Sequence, residues 1–319
     1  MPRPLLPIVS TASDYLVLHP ESDLWRPAIL EICREHRLAT DPLEHRVDGA
    51  NVIFFAGQAH VVKLFAPLWH EVHAGERACL VHVAGQLPVA TPALLGDGEI
   101  EGWPYLVLER LPGVSLASIW TSLAEPDRRR IAGSLGELIG VLHRLPIAGL
   151  EALRVDWPSF IADRRAACAD QHRRKGASET LLAGIPAALA AAEPLAALRR
   201  EVLVHADVAD VNVLIELRDG VWQLSGLLDF GDSMVGDADY DLVTTAEFLL
   251  CGRPALLRAF LLGYGLREEA LDDALSARLM ALTLLHRFAN LPRFVERVGR
   301  AAPFATLDEL SRFAWRTSG

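Results

Sequence analysis

Only four cysteines occur in the chain (Cys33, Cys79, Cys168 and Cys251), each dozens of residues from the next. None has a partner at zinc-ligand spacing and no dense disulfide framework can be drawn, so free, mostly buried thiols in a reducing compartment are expected. Long apolar runs are missing as well, since none approaches the ~20 residues that a membrane-spanning helix needs. The start, Met1-Pro-Arg-Pro-Leu-Leu-Pro-Ile-Val9, has one basic residue and a short apolar stretch broken by prolines, which makes a poor signal peptide. A cytoplasmic protein without a membrane partner is the expectation. Basic residues are in deficit, with 31 Lys+Arg against 41 Asp+Glu and a formal charge of -10. Such a field repels phosphate backbones, which argues against nucleic acid as the main partner and favours cationic ligands. No Walker loop, no Gly-x-Ser-x-Gly elbow, no internal repeat and no low-complexity tract is present.

The remaining composition is that of a globular chain, with 51% hydrophobic and 23% charged residues. At 319 residues it exceeds what one hydrophobic core comfortably serves, so two lobes are expected, 1–111 and 112–319. Residues 24–36 have helical periodicity and form an N-terminal extension. Val52-Ile-Phe-Phe55 and His60-Val-Val-Lys-Leu-Phe65 read as a β-hairpin, followed by a helix over 71–84. Ala93-Leu-Leu95 and Tyr105-Leu-Val-Leu108 read as strands flanking a turn at Gly96-Asp97-Gly98. Residues 128–143 form a strong helix whose Gly133, Gly136 and Gly140 share a face, which fits close helix packing better than a phosphate loop. The chain is then helical from 159 to 199, with breaks near Gly176, Pro186 and Pro194, and helical again from 242 onward.

Between those helical stretches lies the segment that carries chemistry. Asp219-Gly220 is a strong two-residue hairpin signal between the runs 213–217 and 221–228. A mirror register about it pairs position i with 439 − i, which sets Asp229 opposite Asp210 and diagonally near Asn212. Asp207, Asn212 and Asp229 then converge at one mouth of the hairpin. An aspartate base, an asparagine oxygen and a second aspartate are what Mg²⁺-assisted phosphoryl transfer needs. Hard oxygens hold the metal on the phosphates while a separate carboxylate deprotonates the attacking hydroxyl. His205-x-Asp207-x-x-x-x-Asn212 matches the kinase catalytic loop and Asp229-Phe230-Gly231 its metal-binding triplet.

Upstream, Lys63 ends a strand and would pair the ATP phosphates, with Glu76 on the next helix as its ion-pair partner and Glu71 as the rival. The loop at Asp48-Gly49-Ala50-Asn51 would cover the nucleotide, although it lacks the full Gly-x-Gly-x-x-Gly. Leu108-Glu109-Arg110-Leu111 links the lobes, and Glu109 and Leu111 would offer backbone groups to adenine. His70 and His73 are spaced i, i+3 without a third zinc ligand, so a solvated helix start is expected there. His143, His172 and His286 read as packing or capping residues.

With Gly231-Asp232-Ser-Met-Val-Gly236-Asp237-Ala-Asp-Tyr240-Asp241-Leu242 added, the sequence resembles the aminoglycoside phosphotransferase family, an α+β, protein-kinase-like bilobal fold. No Ala-Pro-Glu motif occurs. Val62-Lys63-Leu-Phe65, Arg164-Arg-Ala-Ala167 with Asp170-Gln-His172, and Leu284-Leu-His286 are similar to one subgroup, the hygromycin B phosphotransferases. The resemblance implies ATP, with GTP open as an alternative, Mg²⁺, and a cationic aminoglycoside acceptor, hygromycin B foremost. It puts the base on Asp207, the metal on Asn212 and Asp229, and the phosphate lysine on Lys63. Asp210 takes the place of an acceptor-binding acid, with a loop-capping carboxylate as the alternative, and Asp232 is assigned to the acceptor too. A kinase of another small amino alcohol, sugar or macrolide is the rival reading, and monomer and homodimer both stay open. One departure is Ala206, where the family usually has Gly; alanine is tolerated there unless φ is positive.

Overall fold

The computed structural model describes residues 4–47 and 49–317, so Asp48 of the expected nucleotide-covering loop lies outside the described residues. Two compact units are formed, and they are not contiguous halves. The first takes 1–85, 90–112 and 228–232, and the second takes 86–89, 113–227 and 233–319.

The first unit contains α1 (Ala12–Leu18), α2 (Ser22–His36), β1 (Leu43–Arg46), β2 (Val52–Ala56), β3 (His60–Leu64), α3 (His70–Val83), β4 (Leu94–Ile100) and β5 (Trp103–Glu109). The strands form a five-stranded sheet in the order β1-β2-β3-β5-β4, antiparallel throughout. Period-2 alternation in β2, buried at Val52, Phe54 and Ala56, gives the sheet one core face. Tyr15, Trp25 and Trp103 pack on that core with ring centroids 5.3 to 6.3 Å apart, which docks the N-terminal helices.

One expected turn is corrected. Gly96-Asp97-Gly98 does not turn but runs inside β4, and the chain reverses at Glu101-Gly102, both at positive φ (50° and 84°). The glycines are there for space: a methyl on Gly96 would lie 2.5 Å from the His36 ring, and one on Gly98 2.5 Å from the Tyr105 hydroxyl. A bulge at Leu95 shifts the β4–β5 register beside them.

The second unit contains β6 (Val114–Ser115), α4 (Leu116–Ile119), α5 (Glu125–Leu142), α6 (Trp157–Arg174), α7 (Glu179–Leu182), α8 (Ile185–Ala191), β7 (Glu201–Val204), β8 (Val213–Arg218), β9 (Val221–Leu227), β10 (Met234–Asp237), α9 (Asp239–Leu249), α10 (Pro254–Tyr264), α11 (Asp273–Leu285), α12 (Leu291–Val298) and α13 (Leu307–Ala314). Pro186 opens α8 instead of breaking a helix, because a proline at the first turn gives up an N–H that has no intrahelical partner. β8 and β9 form the expected hairpin, with Asp219 and Gly220 both at positive φ, as a primed turn requires. The mirror register holds from Arg218↔Val221 to Ile215↔Leu224. It then shifts by one, so that Leu214 faces Gly226 and Val213 faces Leu227, with Ser225 as the extra residue. The short pair β7–β10, Val204↔Met234 to Glu201↔Asp237, leads straight into His205.

The glycine face of α5 meets α10 at backbone distance. A methyl on Gly136 would overlap the Phe260 carbonyl oxygen, and one on Gly140 would lie 2.9 Å from that of Tyr264. At Gly133 the corresponding contact, to the Ala259 carbonyl, is a relaxed 3.8 Å. Gly133→Ala is therefore expected to stabilise the protein by up to about 1 kcal/mol through helix propensity. Gly136→Ala is expected to cost about 1–3 kcal/mol by overpacking, both read by chemical denaturation.

Candidate active site

In the second unit, β7 ends at Val204 and delivers His205-Ala206-Asp207 into a loop fastened from beneath by α9. Asp241, the third residue of α9, is fully buried. Its Oδ2 accepts the His205 N–H at 2.8 Å and its Oδ1 the Ala206 N–H at 2.6 Å. The Oδ2 also accepts His143 Nε2–H at 2.9 Å, and the Tyr264 hydroxyl, 2.9 Å from Nδ1, completes the chain. Burial alone would raise the Asp241 carboxyl, but the hydrogen bond and charge of His143 and the contacts from His205 overcome it and hold the pKa below the ordinary aspartate value. One turn further along the same helix the pattern continues: Thr244 Oγ1 reaches the Ala206 carbonyl at 3.4 Å, and Thr245 Oγ1 donates to that of Val208 at 3.1 Å.

These bonds explain a strained residue. Ala206 sits at φ 64°, the left-handed conformation in which glycine is the ordinary occupant. The expectation that alanine is harmless there held only for negative φ, so Ala206 is retained under strain, with both its N–H and its carbonyl bonded to α9.

Asp207 follows. Its own N–H donates to His205 Nδ1 at 3.2 Å. Asn212 Nδ2 donates to the Asp207 carboxylate Oδ2 at 2.8 Å and to its carbonyl at 2.9 Å. The amide nitrogen is thus spent on Asp207, which leaves the Asn212 Oδ1 as a hard oxygen donor turned away from it. Asp210 is half-buried, and burial raises its carboxyl, with the charge of Arg297 acting the other way. Its carbonyl accepts from Ala117 N–H at 3.1 Å and Ser115 Oγ at 3.2 Å, so the Asp210 peptide also anchors the loop.

In the first unit, Lys63 on β3 is buried and bonded on two sides. Its Nζ lies 2.7 and 2.9 Å from the two Glu76 carboxylate oxygens and 2.8 Å from Asp229 Oδ1. Glu76 is therefore the partner and Glu71 is exposed. Burial pulls the lysine pKa down, but Asp229 and Glu76 more than reverse this, and Lys63 stays charged. Burial pushes the Glu76 carboxyl up to about 7, only partly offset by Lys63. Asp229 adopts φ 63°, a left-handed conformation that aspartate accepts better than most residues. Gly231 N–H lies 3.4 Å from its Oδ1, and Asp232 is a half-buried neighbour whose charge also raises Glu76.

Gly49 lies in the loop joining β1 to β2, a hairpin the sequence reading did not foresee because β1 is only four residues long. Glu109 ends β5 with its N–H on the Ala93 carbonyl, and the Arg110 N–H is taken by Ala59. Among the described residues, the Leu111 N–H makes no backbone hydrogen bond, which leaves it as the donor of this segment.

Within the first unit a carboxylate beside a buried lysine, and within the second a carboxamide oxygen beside a carboxylate, are each the kind of donor a magnesium–nucleotide takes, so the residues fit both groups. Asp241, Thr244 and His286 were missed as functional residues. Only the Gly-Asp…Tyr-Asp-Leu element flagged Asp241, and the histidines read as packing. His172 does cap α12, through Leu291 N–H to Nδ1 at 3.2 Å, whereas His143 and His286 belong to the network under the loop.

Comparison with known proteins bears on the family and the fold. The model of the family described as "Phosphotransferase enzyme family" matches residues 44–278. Viomycin phosphotransferase of Streptomyces vinaceus is 32% identical over 199 residues, which is 59% of this chain and 65% of that protein. Among solved structures, the GDP and kanamycin complex of APH(2")-IIia superposes with a TM-score of 0.64 at 19% identity, covering 80% of this chain and 90% of that one. The macrolide 2'-phosphotransferase MphH from Brachybacterium faecium gives 0.58 at 20% identity, covering 87% and 99%. These likenesses establish the α+β, kinase-like fold of the aminoglycoside phosphotransferases.

Two outcomes are expected. Ala206→Val, β-branched at positive φ, should cost about 1–3 kcal/mol, while Ala206→Gly should stay within about 1 kcal/mol because strain relief and glycine entropy oppose each other; thermal denaturation measures both. Between its unfolded value near 4.5 and its folded value of about 7, Glu76 binds protons more readily in the folded protein than in the unfolded chain. Stability without nucleotide should therefore fall as pH rises through that window, and Glu76→Gln should flatten the fall in denaturation curves taken from pH 5 to 8.

Proposed function

The chain belongs to the phosphotransferase enzyme family, and we propose that it transfers the γ-phosphate of ATP or GTP to a hydroxyl of a cationic antibiotic. The observation that carries this reading is Lys63, a buried cation held at once by Glu76 and by Asp229, 166 residues further along the chain. A lysine fixed in this way offers its charge to nucleotide phosphates and spends no conformational freedom in doing so.

The residues take these roles. Lys63 binds the phosphates and Glu76 orients it. The Leu111 backbone and the end of β5 at Glu109 meet the base, and the loop at Gly49 covers the nucleotide. Asn212 and Asp229 would hold Mg²⁺, which when bound neutralises charge on the phosphates. Asp207 accepts the proton of the acceptor hydroxyl as its oxygen bonds to the γ-phosphorus and the β–γ bridging P–O bond breaks, releasing the nucleoside diphosphate. Asn212 fixes the Asp207 carboxylate in a single orientation for that transfer. The acids Asp210 and Asp232, with the overall charge of -10, suit an acceptor bearing amines.

Hygromycin B, indicated by the subgroup-like stretches, and viomycin, the substrate named for the curated relative, are the first acceptors to test. Nucleotide consumption over aminoglycosides, viomycin, macrolides, homoserine and choline should show turnover with a cationic antibiotic. Turnover with a non-cationic acceptor alone would overturn the assignment of acceptor class. Asp207→Asn is expected to cut kcat by at least about 10³-fold while nucleotide affinity stays within a few-fold, whereas Lys63→Ala should weaken the nucleotide itself. Isothermal titration and single-turnover rates separate the two effects.

A further inference from the structure

Two stretches singled out in the sequence, Arg164-Arg-Ala-Ala167 with Asp170-Gln-His172 and Leu284-Leu-His286, have no part in the chemistry above, yet they are bonded to each other. Arg164, Cys168, Gln171, His172 and Lys175 lie along one face of α6 and its cap, at i, i+4, i+7, i+8 and i+11. Each donates to a carbonyl in the end of α11 or in the loop after it. His172 Nε2 and Cys168 Sγ reach the Leu284 carbonyl at 3.0 and 3.5 Å. Arg164 reaches those of Leu285 and His286 at 2.9 and 3.1 Å. Gln171 and Lys175 share that of Ala289 at 3.0 and 2.8 Å. A helix C-terminus leaves four carbonyls without intrahelical partners, and here a neighbouring helix supplies the donors.

The residue so clamped is His286, which is buried. Its Nδ1 accepts the Phe288 N–H at 3.3 Å, which makes Nε2 the protonated nitrogen. Nε2 faces Thr244 Oγ1 at 3.2 Å, and Thr244 in turn reaches the Ala206 carbonyl. The Tyr240 ring stacks on the imidazole at 4.5 Å while its hydroxyl accepts the Arg287 N–H at 2.8 Å.

We infer that His286 is a positioning residue for phosphoryl transfer: clamped by the polar face of α6, it holds the strained Ala206 peptide through Thr244 and so aims the carboxylate of Asp207. Asp241 secures the N–H groups of the two peptides that lead into Ala206; His286 and Thr244 secure the carbonyl of the peptide that leaves it, and a residue in a disfavoured conformation needs both. The inference rests on Asp207 as the base, and the test separates the two claims.

His286→Ala and His286→Gln are compared with the wild type and with Asp207→Asn in the full chain, with ATP and Mg²⁺ supplied and water as acceptor. His286→Ala is expected to lower kcat 10- to 100-fold with nucleotide affinity unchanged within twofold. His286→Gln, whose amide nitrogen reaches the place of Nε2, should recover most of the loss. Amide hydrogen exchange at 205–208, read at a temperature where every variant is folded, should accelerate in His286→Ala and return toward wild type in His286→Gln. Unchanged exchange and unchanged kcat in folded His286→Ala overturn the inference, as does a kcat loss that merely tracks the unfolded fraction. If wild-type turnover equals that of Asp207→Asn, the phosphotransfer reading fails, and the exchange experiment alone then decides whether His286 holds the loop.

Discussion

The buried carboxylate of Asp241 is the constraint on which the catalytic loop depends. It is taken out of water completely, and a carboxylate in that position persists only if its oxygens are saturated by donors. The donors are two successive backbone N–H groups and one imidazole, and two of the three belong to the residues that lead into Asp207. The bonds that satisfy the buried charge therefore also dictate the loop. The cost of leaving the carboxylate unpaired forces Ala206 into a conformation that its sequence alone would not choose.

Lys63 obeys the same logic with the sign reversed. It is buried, and it stays charged because two carboxylates flank it. Here the balance is uneven: two acids share one base, and Glu76, the more deeply buried, takes on a raised affinity for protons. The lysine is thereby held in one orientation. The electrostatic arrangement and the folding arrangement are one and the same set of contacts.

Much of this was legible in the chain, because the chemistry needs fixed residue types at fixed spacings. The His-x-Asp…Asn loop, the Asp-Phe-Gly triplet and the Asp-Gly hairpin turn are local patterns, and the structure puts the hairpin where they say. Glu76 was named as the partner of Lys63 with Glu71 as the rival, and the geometry selects Glu76. Other features were not legible, for physical reasons. Strands as short as β1, β7 and β10 have too few residues to show a period. Gly96 and Gly98 resemble a turn in sequence, and only the His36 and Tyr105 rings pressed against β4 reveal that they are there to make room. The extra residue at Ser225 cannot be seen in a hairpin that looks symmetric. The network of His143, Thr244 and His286 joins residues more than 140 positions apart at its extremes, and a lone histidine on an apolar helix face carries no sign of it.

The allocation of Leu228–Asp232 to the first unit has an evolutionary and practical corollary. The small sheet-bearing unit is not a module that can be cut from the gene as one piece. A fragment ending at Pro112 would carry Lys63 and Glu76 but forfeit Asp229, and with it half of the negative charge that keeps a buried ammonium in place. Recombination between relatives at that boundary would mix a lysine from one parent with an aspartate from the other. Crossovers that preserve the pair must bring both ends of the chain's path together, so the two units are constrained to be inherited as a whole.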